Sequence, residues 1–332
     1  MPDEACHGGG MRAPRPLPPA LGTRFSVQRA AEVGVGRGRL RRGDLDIPFR
    51  GVRDAGALPD LGDLDPFERQ TAERRIRAKQ YAPLLRPGRF LSHESAVAMF
   101  GGPMPLVIHD DEIVDGMTLP VHVSTLGSGP LVRADGVVAH RANAENTSLV
   151  HWRGHALASP ASAWAQCASW DLMDLVALGD FFCRVWRAGP GRKKAGTRSL
   201  ATIDQLRATI DAGRRVGIAR LREAVGLVRE DSWSPRESKI RCFIAFAGLP
   251  EPRLNHDVYD HSGRFLGCVD LAYPDRKIAI EYQSMLHHAR YAQDVERIAA
   301  LRAAGWVVIE VTSELFANPT EMIRRIRAAL ER

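Results

Sequence analysis

Lysine is scarce in this 332-residue chain: of 46 basic residues only Lys79, Lys193, Lys194, Lys239 and Lys277 are not arginine. Positive charge is therefore carried almost entirely by guanidinium groups, whose planar fork suits phosphate oxygens and base edges. That composition permits nucleic acid binding without establishing it. Cysteine is sparse as well. Cys6, Cys167, Cys183, Cys242 and Cys268 are scattered and include no CxxC pair, which removes support for a disulfide framework or a cysteine zinc site. No stretch approaches the roughly 18 to 20 uninterrupted apolar residues of a membrane helix, and residues 1–22 lack the apolar centre of a secretory signal. The cytoplasm is the expected location.

What is present is a globular composition, 45% hydrophobic with a net charge of +7, sufficient for two or three cores. Residues 1–22 are rich in Gly, Pro and Arg and read as a disordered tail. Residues 23–56 then read as a winged-helix-like head. In it FSVQRAAEV forms a short helix, GVGRGRLRRG a turn and a second Arg-studded segment, and LDIPFRGV a small strand pair. A breaker-rich stretch at 54–66 precedes a mixed α+β middle domain over 67–186. Its first helix is polar, the runs LVIHD, LPVHVST and VVAHRAN alternate like strands, and Trp164, Leu172, Leu175, Leu178, Phe182 and Trp186 recur at helical spacing as one buried stripe. Residues 187–199 read as an exposed basic linker and 200–230 as connecting helices.

From residue 234 to 332 the signals are sharper. Ser234, Pro235 and Glu237 supply a helix cap, a first-turn proline and the acid of a capping box. Three strands in a meander follow, then a helix from about Tyr291 to Ala304, the buried-type strand WVVIEV and a last helix. The order is αβββαβ with a terminal helix, so the fold class is α/β in a multi-domain chain.

The second hairpin carries the chemistry. With a two-residue tip at Asp275 and Arg276, Asp270 lies directly opposite Glu281, at a Cβ separation of about 4.5 to 5.5 Å where like charges repel. Unless both are solvated, a positive group belongs between them, and two carboxylates with retained waters suit Mg²⁺. Gln283, two residues beyond Glu281, shares that face, while Ile280 and Tyr282 point away. Such a cluster can orient a metal-bound water toward a phosphodiester.

The pattern D-x10-E-x-Q after an acid-bearing helix resembles the PD-(D/E)XK restriction-endonuclease fold, in the branch related to the very-short-patch-repair (Vsr) nucleases and the DUF559 group. The matching segments are SPRESKIR, AGLPEP and GRFLGCVDLAYPDRKIAIEYQSMLHH, then Asp294, Arg297, Leu301 and GWVVIEVTSEL. Where that family usually reads EYDGxxH, this chain reads EYQSMLH, so Gln283 replaces an Asp and His287 keeps the His position. The resemblance implies that Asp270 and Glu281 ligate Mg²⁺ or Mn²⁺, that Glu237 is a helical carboxylate near the metal, that Gln283 stands in for the motif Lys, and that His287 transfers a proton or contacts phosphate. Residues 25–52 and LSHESAVAMFG resemble, more loosely, the winged-helix head of AbiEi-type antitoxins and related regulators. The implied function is DNA binding coupled to metal-dependent phosphodiester cleavage. The alternative is an antitoxin-like or transcriptional regulator, with a cognate toxin as partner and a silent nuclease fold.

Each residue also has a plainer reading. Glu237 is accounted for by its capping box and an i, i+4 pair with Arg241, and His287 beside His288 by surface polarity. Arg37, Arg39, Arg41 and Arg42 line either a recognition helix or a flexible basic arm, since Gly34, Gly36 and Gly38 each cost roughly 1 kcal/mol inside a helix. His93, His109, His122, His140, His151 and His155 read as scattered structural residues.

Overall fold

The computed structural model describes residues 14–283 and 291–332. The chain is a multi-domain α/β protein whose main sheets have five and four strands. Among the described residues no helix is long and apolar enough to cross a membrane.

In the head, β1 (Arg24–Ser26) runs into α1 (Val27–Glu32), where the Ser26 hydroxyl accepts the Arg29 amide at 3.1 Å. The helix stops after six residues because Gly34 takes a left-handed φ of 80°. The amides of Gly34 and Val35 then close onto the carbonyls of Ala31 and Ala30, the Schellman arrangement. The second, Arg-lined helix does not form; residues 35–42 hold only a three-residue 3-10 turn, Arg39–Arg41. Gly36 and Gly38 weaken a helix there, and Leu40 anchors the turn in a small core with Leu21, Phe25, Ala30 and Leu45. Leu21 therefore belongs to the folded head, although residues 1–22 read as a tail. LDIPFRGV folds back only as far as one antiparallel bridge, in which the Asp46 and Asp54 amides donate to each other's carbonyls at 2.8 and 3.0 Å, while β2 (Val52–Asp54) takes β1 as its strand partner.

Phe49 and Val52 carry the head into the main core. The Phe49 ring stands edge-on to Tyr81 at 5.1 Å, beneath the Arg77 guanidinium at 3.9 Å. Tyr81 ends α2 (Pro66–Tyr81), a helix started by an Asp65 cap and Pro66. Next come β3 (Arg89–Leu91), α3 (His93–Phe100), β4 (Ile108–His109), β5 (Glu112–Ile113), β6 (Val121–Leu126), β7 (Val137–Ala142), β8 (Leu149–Trp152) and β9 (His155–Ala158). The five-stranded sheet has the order β7-β6-β3-β9-β8, with β6 and β7 parallel. The apolar stripe is shared by two helices, α4 (Pro160–Gln166) and α5 (Leu172–Cys183), and Trp164, Leu175, Leu178 and Phe182 are fully buried.

The helices α6 (Ile203–Asp211) and α7 (Ile218–Leu227) are more than connectors, because Leu206, Ile210, Leu221 and Ala224 complete that same core. Residues 187–199 hold no regular element, yet Arg192 pairs with Asp257 and lies 4.9 Å from the Trp233 ring centre. The segment is thus tied to the C-terminal sheet by a guanidinium that finds both a carboxylate and an aromatic face.

The C-terminal domain runs α8 (Pro235–Phe246), β10 (Arg253–Tyr259), β11 (Phe265–Tyr273), β12 (Ile278–Tyr282), α9 (Tyr291–Ala303), β13 (Val307–Val311), α10 (Ser313–Phe316) and α11 (Pro319–Leu330). Its sheet order is β10-β11-β12-β13, with only β12 and β13 parallel. Ile240 and Ile244 of α8 and Ile326 of α11 cover Leu271 and Ile280 on one face. Leu301 of α9 and Trp306 cover Ala272 and Ala279 on the other. Period-two alternation assigns those two sets of strand residues to opposite faces.

Candidate functional site

The β11–β12 hairpin turns through a four-residue connection, a 3-10 turn Pro274–Arg276 followed by Lys277 at φ 49°, in place of a two-residue tip. Both turns share one centre, so the register is the one expected: Leu271 opposite Ile280, Ala272 opposite Ala279, Tyr273 opposite Ile278. Asp270 and Glu281 continue that ladder. Asp270 Oδ2 accepts the Tyr282 amide at 2.9 Å, which fixes its carboxylate at the strand end. Both acids fall on the α9 face with Ala272 and Ala279.

A positive group does meet them, and it is Arg297 of α9. Its Nη1 and Nη2 donate to Glu281 Oε1 and Oε2 at 2.6 and 3.2 Å, and Nη2 also reaches Asp294 Oδ1 at 3.4 Å. This is the two-pronged guanidinium–carboxylate geometry.

Glu237 approaches from α8. It forms no i, i+4 pair with Arg241, whose guanidinium instead donates to the buried Asp180 at 3.0 Å. Ser234 Oγ accepts the Glu237 amide at 3.2 Å, but the reciprocal capping bond goes one residue further back, from the Trp233 amide to Glu237 Oε2 at 2.9 Å. The same oxygen accepts from Asn255 Nδ2 at 2.7 Å. Asn255 is a member of the site with no sequence signal: a buried amide on β10 that reaches the helix acid across 18 residues of chain.

The protonation equilibria register the crowding. Burial, and then the charge of Asp270, push Glu237 up to about 8. The same two causes push Glu281 up to about 7 against the pull of Arg297. Burial raises Asp270 as well. Three carboxylates, Asp270, Glu281 and Asp294, thus share the Arg297 guanidinium, while Glu237 lies near Arg184. The excess negative charge suits a divalent cation, and Asp270 and Glu281 are the residues that would hold Mg²⁺ or Mn²⁺. The fit is one of charge, because the three acids Glu237, Asp270 and Glu281 do not converge as a three-ligand cage.

Gln283 follows β12 and donates its amide to Val311 O at 2.9 Å, so it keeps the strand path beside Glu281. His287 lies outside the described residues. In the head, Arg39 is committed to Asp44 through two bonds of 2.9 and 2.7 Å and to Arg15 O at 2.6 Å, while Arg37, Arg41 and Arg42 are exposed around the turn. These four arginines therefore do not line a helix.

Among the described residues, the group of three potential ligands that does converge is His93, His122 and His140, with one ligand atom of each within 4.8 Å of the others. Reading them as scattered fails because they stand on three elements, the start of α3, β6 and β7. His151 and His155, four residues apart on the β8–β9 hairpin, are not part of the group.

Two uncharacterized proteins of Mycobacterium tuberculosis, from strains CDC 1551 and H37Rv, are each 30% identical to this chain over 151 residues. The match takes in 41% of this chain and 55% of each relative, so the chain spans about half the length of the curated relatives it matches. No protein-family model matches the chain, and no solved structure does.

Proposed function

We propose that the protein is a cytoplasmic DNA-binding phosphodiesterase whose C-terminal domain is of the restriction-endonuclease-like type. The observation that carries this reading is the meeting of Glu237, Asp270 and Glu281. Asp270 and Glu281 lie 33 and 44 residues beyond Glu237 in sequence, and burial first, then the charge of Asp270, drives Glu237 and Glu281 toward neutrality. Natural folds rarely bury carboxylates unless they are paired or ligate a metal. When bound, Mg²⁺ supplies Lewis-acid polarisation of the scissile phosphate. The chain's own groups have separate tasks. Asp270 is aimed by the Tyr282 amide, Glu281 is held by Arg297, and Glu237 is a buried acid able to keep a proton near neutral pH. Gln283 offers an amide carbonyl to a water where the related motif has a charged residue. The arginine-rich surface and net charge of +7 favour approach to DNA.

The test is cleavage of supercoiled plasmid and short single-stranded DNA with Mg²⁺ or Mn²⁺, comparing wild type with an Asp270→Ala, Glu281→Ala double variant. Metal-dependent cutting that the double variant loses supports the proposal. Absence of cutting, with DNA bound equally by both proteins, favours the second reading, an AbiEi-like regulator or antitoxin with a silent nuclease fold. That reading draws on the two-pronged hold of Arg297 on Glu281, which occupies oxygens a metal would need.

A further inference from the structure

His122 Nδ1 lies 2.9 Å from His140 Nε2, a hydrogen bond in which two rings share a single proton. The two residues stand on neighbouring parallel strands, where His122 pairs with Val138 and Ser124 with His140, so the rings are diagonal neighbours on one face. The His93 ring stacks on His140 with centroids 3.7 Å apart. His93 also carries a left-handed φ of 49°, a conformation uncommon for a residue other than glycine.

Beyond these rings lies a carboxylate. Glu94 Oε2 is 3.3 Å from His122 Nε2 and is buried without a well-formed hydrogen bond, while Oε1 accepts from Trp170 Nε1 at 3.2 Å. On the open side, His93 and His140 form part of the wall of a cavity of about 650 Å³. The same wall includes Asn143, Asn146, Gln166, Arg214 and Arg215.

We infer that His93, His122 and His140 form a Zn²⁺ site reached from this cavity, with Glu94 as the carboxylate that orients His122. Three imidazole nitrogens with an open position is a donor set used by catalytic zinc. A ligating histidine normally gives its other N–H to a carboxylate, which is the relation of His122 Nε2 to Glu94. Zn–N bonds of about 2.0–2.1 Å in a tetrahedron place the nitrogens about 3.3 Å apart, so the His122–His140 contact need open by about 0.4 Å, and the His93 ring must tilt off the face of His140 to aim a nitrogen at the ion. The ion replaces the shared proton, which moves to the second nitrogen of its own ring, so no proton is lost from three neutral imidazoles. Burial, reinforced by His140, pushes His93 down to about 3, and burial lowers His122 and His140 too, which is the direction that favours neutral imidazole. Imidazole nitrogen also selects Zn²⁺ over the Mg²⁺ suited to the carboxylate site, so the two metal sites are chemically distinct.

The test is titration of the metal-free full chain with Co²⁺, followed by its visible d–d absorption, and displacement by Zn²⁺. One equivalent is expected to give the intense visible band of a tetrahedral nitrogen site, since Co²⁺ held by carboxylates and waters absorbs only weakly. The band should survive the Asp270→Ala, Glu281→Ala double variant and His155→Gln, disappear in His122→Gln and His140→Gln, and weaken about tenfold or more in affinity in Glu94→Gln. Circular dichroism of each metal-free variant checks its folding. X-ray absorption at the zinc edge of the loaded wild type needs no variant, and three nitrogen neighbours at about 2.0–2.1 Å with no sulfur are expected. Stoichiometric binding retained by His140→Gln, sulfur in the zinc shell, or failure of the wild type to take up one equivalent would each overturn the assignment.

Discussion

Replacing Glu237 by Gln should make the C-terminal domain more stable at alkaline pH, although a buried, doubly hydrogen-bonded side chain is being changed. Glu237 is 5% exposed, and its Oε2 accepts from Trp233 and Asn255. The carbonyl of Gln can retain both bonds. Its ordinary value of 4.5 is raised to about 8, first by burial and then by Asp270. Between those values the folded state holds a proton that the unfolded state has released, so stability falls as pH rises. The contribution is complete below about 4.5 and lost by the time pH passes about 8. At about 1.4 kcal/mol per pH unit the span sets a ceiling of about 5 kcal/mol. Water reaching the ionised carboxylate relieves part of the burial cost, so removing its charge should recover roughly half of that ceiling, about 2 kcal/mol. The assay is amide hydrogen exchange of β11 and β12 in rising urea, with chelator, at pH 5.0 and pH 8.5. Wild type and variant should agree within about 0.5 kcal/mol at the lower pH and separate by about 2 kcal/mol at the higher. A variant no more stable than wild type at pH 8.5 would refute the claim that burial, reinforced by Asp270, penalises the charged form of Glu237.

Two further outcomes follow from packing. Arg241 and Asp180, with side chains each 1% exposed and 3.0 Å apart, tie α8 to α5; Arg241→Met should cost about 3 to 5 kcal/mol in thermal unfolding by stranding the acid, and adding Asp180→Asn should recover most of it. Gly116 has no room for a methyl group, since a Cβ there would stand 2.6 Å from Gln70 O and 2.7 Å from Glu73 Cβ. Gly116→Ala should therefore destabilise by about 1 to 3 kcal/mol, read as a lower urea midpoint, with the loss greatest where Gln70 bridges Val107 and Val114.

The acid pair was legible because an antiparallel hairpin needs only local information. Once the turn is centred between Asp275 and Arg276, every opposing pair follows, even though the turn itself is longer than expected. The start of α8 was legible for the same reason, since Ser234, Pro235 and Glu237 act within one turn. The head was less so. FSVQRAAEV and its terminating glycine specify a helix, but that the fold-back at Asp46 and Asp54 stops at one bridge and β2 pairs with β1 depends on the burial of Phe49 and Val52, which the middle core supplies.

Arg297 and Asn255 show where local reading stops. Each reaches an acid only because α9 and β10 are packed onto the sheet, a relation that has no period along the chain. The histidine cluster is the extreme case. His122 and His140 sit on parallel strands, whose register is set by a crossover and not by a turn, and His93 arrives from a helix start across the sheet. Alternation, capping and breakers along the chain are enough to lay out the elements and the facing carboxylates. The counter-charge on those carboxylates, and two imidazoles sharing one proton with a third stacked on them, exist only once the layers close, because their distances are set by packing between segments far apart in sequence.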